Sequence, residues 1–386
     1  MVKIKMLLLF SLFSFPFFLQ GQSFTLLNCD NTDQKVAFAH IENLSTGDMA
    51  VSNKEGFFDI DFKSMEDMIR ISHISYKTIE IVASDFKLKN EVCLVEQSYF
   101  LSEFTVRSMS EFEFLQKAIN NTESKQLDVI KLNGYYKEFV TSDGKYTKFC
   151  DGAVGYFINK SKEDEEIQGE VFESRAYSLP ASDEVDLDLI SPIGFKKSLE
   201  YYHPSNIGKF MKKDSENNYF YEFFESDDEF LIKASPIEES EAYFSGFVSI
   251  HKSDTTISKV SFSVVPERTH LIKSVNAIVV KFNLTLADGN VIYTKSKEGF
   301  IYPFYLRLNF GINFYNKKSF NQNNVFISDL QIYEIPEEQG PIPKSLVFKK
   351  NSLYKRGTDY KSEFWKNKSL MNLTTAEREI IDSFDN

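Results

Sequence analysis

The chain has 386 residues, of which 42% are hydrophobic and 26% are charged, values typical of folded globular proteins. This length exceeds one ordinary hydrophobic core, so we expect two or three folded units. The formal net charge of −12 argues against nucleic acid or an anionic membrane surface as the partner, because both are bound by basic faces. Aromatic residues make up 15% of the chain, which favours β-sheet.

Residues 1–21 have the pattern of an export signal. Two lysines precede an apolar run over residues 6–18, and the small residue Gly21 lies at its polar end. The run is shorter than the roughly 20 residues that span a bilayer, and Pro16 interrupts it. We expect cleavage after Gly21, or alternatively after Gln22, and no transmembrane span in the mature chain.

The clearest local pattern is a hairpin in the first hundred residues. Residues 53–56 have turn chemistry, and Gly56 stands where such a loop needs a residue at positive φ. Phe58, Ile60 and Phe62 then alternate with more polar neighbours, which predicts a strand with one buried face. Comparable short runs between polar turns predict six or seven strands over residues 22–108, arranged as a small antiparallel β-sandwich.

An ordered set of short motifs in this segment supports a more specific interpretation. The motifs are Ala39-His40-Ile41, Thr46-Gly47, Asn53-Lys-Glu-Gly-Phe-Phe58, Ile69-Arg-Ile-Ser72, Tyr76-Lys77, Leu94 and Leu101-Ser-Glu-Phe-Thr-Val106. As a set they resemble the carboxypeptidase-regulatory-like domain, a transthyretin-like sandwich common in exported proteins of Bacteroidetes. Ser75 departs from the glycine that usually precedes the tyrosine. The family is named after an enzyme, the carboxypeptidase, but the resemblance is to the part of that enzyme that does no catalysis.

Three cysteines, Cys29, Cys93 and Cys150, do not form the paired spacing of a zinc site. In an oxidising compartment one disulfide can form, and Cys29 with Cys93 is the natural pair because both fall in the first domain. Three buried free thiols are the alternative.

The pattern becomes helical after the first domain. Phe112, Leu115 and Ile119 recur at helical spacing behind the N-cap candidate Ser110, and we expect the helix to stop at residues 120–121. Aromatic strands then resume. Residues 135–140 and 146–157 read as a hairpin turned at residues 142–144.

Long strands predict a broad, curved antiparallel sheet within a domain spanning residues 109–335. Over residues 244–335 about six strands are expected: 244–250 with 257–265, 276–287 with 291–298 turned by Asp288-Gly289, 301–314, and 325–335. Glu173-Ser-Arg-Ala176 and Phe364-Trp-Lys-Asn-Lys-Ser-Leu370 resemble the β-rich second half that follows the regulatory-like domain in other Bacteroidetes proteins. A curved sheet of this kind also resembles the lipoprotein-carrier half-barrel in shape.

Residues 336–386 form a proline-rich connector and a C-terminal helix. Thr374 and Glu377 have capping-box spacing, and Ile380 and Ile381 begin an apolar stripe. We expect Trp365, the single tryptophan, to fix the tail on the sheet.

No linear catalytic, cofactor or metal motif occurs in the sequence. His40 precedes Glu42 by two residues on a predicted strand, and His251 precedes Asp254 within a predicted turn; neither has the spacing of a zinc peptidase. The acidic stretch 183–188 lacks the glycine and terminal glutamate of a calcium loop. We therefore predict no catalytic, cofactor-binding or metal-binding residues.

The sequence thus favours a mainly β, non-catalytic exported protein of the cell envelope. A seven-stranded β-sandwich is joined to a larger antiparallel sheet domain with a few helices, which is expected to bind a protein partner or an apolar ligand. The expected location is the periplasm, including its outer-membrane side, with secretion as the alternative. Two other hypotheses remain: a hydrolase assembled from distant strands with residues such as Arg175, and a scaffold that pairs through a free sheet edge.

Overall fold

A computed structural model describes residues 22–86, 90–97, 100–101, 109–160, 166–178, 192–277, 280–315, 321–350, 352–358 and 372–384. The export signal at residues 1–21, the acidic stretch 183–188 and Trp365 lie outside these ranges. What we infer for those three features from the sequence stays a prediction.

The described chain is mainly β, as predicted. The first seven strands are β1 (Gln22–Asn28), β2 (His40–Asn43), β3 (Met49–Val51), β4 (Phe57–Ile60), β5 (Met68–His73), β6 (Tyr76–Val82) and β7 (Glu91–Leu94). The later strands are β8 (Phe100–Leu101), β9 (Val129–Ser142), β10 (Lys145–Asn159), β11 (Glu166–Ser178), β12 (Tyr219–Glu225), β13 (Glu229–Pro236), β14 (Phe244–His251), β15 (Ile257–Val264), β16 (Val275–Ala277), β17 (Val280–Lys295), β18 (Ile301–Tyr315) and β19 (Asn321–Glu334). The helices are α1 (Ala83–Phe86), α2 (Glu111–Glu123) and α3 (Thr375–Phe384).

Strands β1 to β7 form a two-sheet sandwich, which confirms the seven-stranded prediction. The sheet orders are β4-β1-β7 and β3-β2-β5-β6. Between them the rings of Phe24, Phe58, Phe62 and Phe86 pack with neighbouring centroids 4.8–6.2 Å apart. Strands β1 and β7 are parallel, so the expectation of a wholly antiparallel sandwich is wrong for this pair. Parallel pairing is possible because these two strands are distant in the chain and need no tight hairpin between them.

The turn between β3 and β4 forms as predicted at residues 53–56. The two strands do not form the expected hairpin, because β3 pairs with β2 whereas β4 pairs with β1 in the other sheet of the sandwich. Gly56 has φ +75°, and the Asn53 side-chain oxygen accepts hydrogen bonds from the amides of Glu55 and Phe57. A disulfide joins Cys29 to Cys93, which confirms the predicted pair, while Cys150 is a buried free thiol.

The remaining strands form one antiparallel sheet with the order β11-β10-β9-β19-β18-β17-β15-β14-β13-β12-β8, and β16 pairs with β17 beside this path. Strand β8 follows the sandwich in the chain but pairs with β12 of the large sheet. The predicted turn at Asp288-Gly289 is wrong, because both residues lie inside the continuous strand β17. Gly289 is required there for packing: a Cβ would come 2.6 Å from the Phe262 ring.

Helix α2 begins with the predicted capping box between Ser110 and Glu113. It ends at Glu123 rather than at residues 120–121. The extra turn persists because the buried Thr122 hydroxyl donates to the Ala118 carbonyl and accepts from the Ile257 amide. Tertiary contacts therefore outweigh the weak helix propensity of the two asparagines.

One face of the large sheet, here called the inner face, is apolar and already filled. Its side chains, such as Tyr136 and Val260, pack against α2 and against Phe195, Phe210 and Leu353 from the segments 192–218 and 352–358. The inner face therefore carries the main core rather than an open apolar trough. Helix α3 at the end of the described chain lies on the opposite face.

The opposite, outer face of the large sheet holds the sandwich and helix α3. Val51 of the sandwich packs against Ile292 and Tyr305. Ile381 of α3 packs against Phe139 and Ile327 farther along the same face, and α3 starts with the predicted capping box between Thr374 and Glu377. Across the described ranges, the structure has no helix with the length and apolar character needed to span a bilayer.

Candidate functional site

A cleft of about 730 Å³ lies where the sandwich meets the outer face of the large sheet. We call it the interdomain cleft. The sandwich wall comes from β2, β5 and β6, and the sheet wall comes from β13, β14, β15 and β17. The side chains that carry its chemistry are His40, Glu42, Arg70, His73 and Glu80 on the first wall, and Glu229, His251, Ser258, Lys259 and Lys295 on the second.

Strand register explains why polar side chains collect on the sheet wall. Glu229 lies directly opposite His251 in the β13–β14 pair. Lys259 lies opposite Ser249 in the β14–β15 pair, and Ser258 is the extra residue of a β-bulge next to it. A bulge redirects side chains locally, and this one brings Ser258 within hydrogen-bond reach of Glu229.

Lys259 is the most unusual side chain in the cleft. It is 7% exposed, and its Nζ donates one hydrogen bond of 3.2 Å to the Phe38 carbonyl oxygen of the sandwich. Burial lowers the pKa of Lys259 to about 8, although the charge of Glu229 opposes that shift. Within the described residues, no carboxylate forms an ion pair with this ammonium group.

The other basic side chains lining the cleft differ from Lys259, because each of them has an acidic partner. The pairs are Arg70–Glu80 at 2.7 Å, Lys252–Glu225 at 2.6 Å and Lys295–Asp254 at 2.7 Å. Lys125 reaches the same Asp254 carboxylate, and these ionic hydrogen bonds hold the pKa of Asp254 well below its usual range. Among the lysines and arginines that line the cleft, Lys259 is thus the one without an ion-pair partner in the described part of the chain.

Two histidines on the sandwich wall are held neutral. Burial, followed by the charge of Lys259, lowers the pKa of His40 to about 3. The same two causes lower the pKa of His73 far below its usual range, and His73 Nδ1 accepts a hydrogen bond from the Ser75 amide. The Nε2 of His40 is sealed from solvent and has no hydrogen-bond partner among the residues that the structure describes.

The sheet wall contains a serine, a histidine and a glutamate, but not in the order that catalysis requires. Ser258 Oγ donates directly to Glu229 Oε1 at 2.5 Å, and His251 Nδ1 lies 3.7 Å from the same oxygen. In a nucleophilic triad the imidazole stands between hydroxyl and carboxylate and takes the hydroxyl proton. Here the carboxylate binds the hydroxyl itself, so the imidazole is not placed to activate it.

A second cavity of about 700 Å³ adjoins the cleft, and we call it the recess. Val36 of the sandwich and Leu231 and Phe247 of the large sheet form the apolar part of its lining, beside polar residues such as Gln34 and Glu96. His73 and Ile74 line both cavities, so the recess and the interdomain cleft meet at this point.

A second group of charged residues crosses the outer face beneath α3, and we call it the charge ladder. Arg175, Asp151, Lys137, Asp329 and Arg307 lie opposite one another on five neighbouring strands, so that positive and negative charges alternate. The cavity beside the ladder is only about 10 Å³, which is too small for a ligand. The ladder therefore joins strands and helix rather than forming a binding site.

The structure places the residues considered from sequence in separate surroundings. Arg175 belongs to the charge ladder, where its Nε donates to Asp151 at 2.9 Å. His40, Glu42 and His251 do meet in the interdomain cleft. Among the described residues, no group of three or more histidine, cysteine, aspartate or glutamate side chains is arranged to hold a metal ion.

Sequence reasoning missed Lys259 and His73 as residues of the site. Lys259 lies in an ordinary alternating strand, and its burial arises only because the sandwich docks above it. A lysine at such a strand position gives little indication of a binding site, because lysines are mostly exposed.

No protein-family model matches this chain, and no curated protein matches it. Similar solved structures include a LolA superfamily protein from Nitrosomonas europaea, with 11% identity, a TM-score of 0.20, and coverage of 58% of this chain and 95% of that chain. An outer membrane lipoprotein-sorting domain from Vibrio parahaemolyticus has 10% identity, a TM-score of 0.22, and coverage of 59% and 94%. The MucA/MucB complex of Pseudomonas aeruginosa gives 8% identity, a TM-score of 0.19, and coverage of 58% and 94%. These scores are too low to define a shared fold, so the function is argued from the cleft itself.

Proposed function

We propose that this chain is a non-catalytic, exported cell-envelope protein that binds a small ligand in the interdomain cleft. The observation that carries the proposal is the cleft of about 730 Å³ between the two domains, which lies within the size range of small-molecule sites. Binding sites are common at such domain interfaces. Over the described residues, the inner face of the sheet is covered by packed side chains rather than open to an apolar ligand.

The two connected cavities suit a ligand with both polar and apolar parts. The cleft offers charged and hydrogen-bonding groups, and the recess offers Val36, Leu231 and Phe247 as an apolar lining. A protein partner is less well supported than a small ligand, because both cavities are bounded by two walls rather than spread over a flat surface. The arrangement of Ser258, Glu229 and His251 supports binding over hydrolysis.

Native mass spectrometry of the mature chain, incubated with a small-molecule and lipid extract of bacterial envelopes, tests this proposal. We expect a bound species that is lost in Thr294→Trp, because Thr294 lines the cleft and an indole would fill it. Thr285→Trp is the matched control, since Thr285 is an exposed threonine on the same strand outside the cleft. Retention of the ligand by Thr294→Trp, or no bound species at all, would contradict the proposal.

The location and the family of the first domain also belong to this proposal. We propose export to the periplasm by residues 1–21, and membership of residues 22–108 in the carboxypeptidase-regulatory-like family. The seven-stranded sandwich and the disulfide between Cys29 and Cys93 support them, because disulfides persist in oxidising compartments. Fractionation that finds the full chain uncleaved in the cytoplasm would contradict the export proposal.

A further inference from the structure

We infer that Lys259 is an anion-binding residue and that the ligand of the interdomain cleft carries a carboxylate or phosphate group. The inference rests on the proposed function and assigns the ligand its chemical class. The buried position of Lys259 in the wall of the cleft carries it, together with the unsatisfied Nε2 of His40 on the opposite wall.

The first step concerns the charge of Lys259. An ammonium group removed from water is costly unless an opposite charge or several acceptors compensate it. Lys259 is 7% exposed and has three N–H donors, of which one reaches the Phe38 carbonyl oxygen. A carbonyl oxygen supplies only partial negative charge. An anion entering the cleft would supply the missing charge and accept from the remaining donors.

The second step concerns the three glutamates on the walls of the cleft, each of which already has a partner. Glu80 accepts two hydrogen bonds from Arg70, and Glu42 lies 3.9 Å from the same guanidinium group. Glu229 accepts from Ser258 at 2.5 Å. These three carboxylates thus have other partners, and among the described residues no carboxylate, including Asp227 and Asp228 of the same cleft, forms an ion pair with Lys259. An external anion would supply that counter-charge.

The third step concerns His40, which lies near Lys259 on the opposite wall. Its Nε2 lacks a hydrogen-bond partner within the described part of the chain, and its ring is neutral at physiological pH. A neutral imidazole with its proton on Nε2 donates a hydrogen bond, and an anion oxygen is a strong acceptor. A small rotation of the ring toward the cleft would let His40 share the anion with Lys259.

The test uses the mature chain and three probes: inorganic phosphate, acetate, and octyl phosphate below its micelle concentration. Each is compared with sodium chloride at equal ionic strength. We expect at least one probe to raise the melting temperature by about 2–4 °C at concentrations well above its dissociation constant. Lys259→Met should lower the affinity at least about tenfold. A stronger effect of octyl phosphate than of inorganic phosphate would identify an amphiphile head group rather than a free anion.

Two variants control for charge and for folding. Lys252→Met removes a lysine that also lines the cleft but pairs with Glu225, and it should leave probe binding unchanged. Lys259→Arg keeps the charge and should retain binding. In the wild-type chain, the ¹⁵N resonance of the Lys259 side chain should shift when the active probe is added, and this readout needs no variant to fold.

Two results would overturn the inference. One is a wild-type chain that none of the three probes stabilises beyond sodium chloride. The other is a Lys259→Met variant that binds the active probe as tightly as wild type. If Thr294→Trp loses the envelope ligand while Lys259→Met keeps it, the cleft binds a ligand and only the anion assignment fails.

Discussion

The Nζ of Lys137, on strand β9 of the large sheet, lies 3.1 Å from Glu377 Oε2 of the C-terminal helix and 3.6 Å from Asp329 Oδ2. All three side chains are buried. The charge ladder alone has three cations and two anions. Glu377 adds a third anion, so the ladder and Glu377 together are neutral. The helix is therefore held by charge as well as by the apolar contacts of Ile381.

Glu377→Gln should separate the role of this charge from the helix cap. Glutamine keeps the capping box with Thr374 but leaves Lys137 with Asp329 alone, and we expect a loss of about 2–3 kcal/mol in the free energy of unfolding. Glu379→Gln, on an exposed position of the same helix, should change it by less than about 0.5 kcal/mol. Urea denaturation of both variants measures the difference. Equal stability of the two would mean that the buried pair contributes nothing.

Gly56 should be far less replaceable than Gly47, although both have positive φ, +75° and +80°. A Cβ at Gly56 would lie 2.6 Å from the Leu26 carbonyl oxygen, whereas one at Gly47 meets nothing within 4 Å. We expect Gly56→Ala to cost about 3 kcal/mol and Gly47→Ala about 1 kcal/mol, the latter from backbone strain alone. Thermal unfolding monitored by circular dichroism distinguishes them. A similar loss in both variants would contradict the steric explanation.

Removing the disulfide should lower the stability of the sandwich. Cys29 and Cys93 are separated by 64 residues, and closing a loop of this length is expected to stabilise the fold by roughly 2–4 kcal/mol. Replacing both cysteines with serine should lower the melting temperature by the amount that corresponds to this loss of free energy. Reductant should then lower the melting temperature of the wild-type chain but not that of the double variant. A lower melting temperature in both would point to another reducible group.

The neutral histidines of the cleft should make the protein sensitive to acid. The folded-state pKa of His40, about 3, lies below the ordinary value of 6.5, so the unfolded chain binds more protons between those values. The contribution of His40 to the free energy of unfolding is therefore fully present above pH 6.5. It falls as the pH drops toward 3, by up to about 1.4 kcal/mol per pH unit for each such histidine. The charged and titratable groups facing His40 are Lys259 and His251 from the large sheet and Arg70 from the sandwich.

Denaturation between pH 4 and pH 7 tests this prediction. In His40→Gln the free energy of unfolding should depend less steeply on pH than in the wild type. His270→Gln is the control, because His270 lies exposed on the short 3₁₀ helix Pro266–Leu271 and should leave the slope unchanged. An unchanged slope in His40→Gln would show that His40 is already protonated in the folded protein.

The features that sequence reasoning predicts well are set by neighbouring residues. The turn at Asn53 and Gly56, the cap at Ser110 and the cap at Thr374 each depend on residues within four positions of one another. Gly289 shows the limit of such reasoning. An aspartate–glycine pair indicates a turn, but here the absent side chain makes room for the Phe262 ring on a neighbouring strand.

The candidate site could not be predicted because no short segment contains it. His40 and Lys259 are 219 positions apart, by subtraction of their numbers, and meet only when the sandwich docks on the outer face of the sheet. Their unusual pKa values arise from that docking, since burial is the largest cause for both groups. Composition and periodicity describe each strand but not which strands face each other.

The turn of Asn53 also contacts a part of the chain that is synthesised much later. Its side-chain amide donates to the Leu373 carbonyl oxygen, and Glu55 accepts from Thr375, in both cases 320 positions away. These contacts therefore cannot form until residues 373–375 have been synthesised. While the intervening residues are being synthesised, the Asn53 amide and the Glu55 carboxylate are available to solvent or to a chaperone.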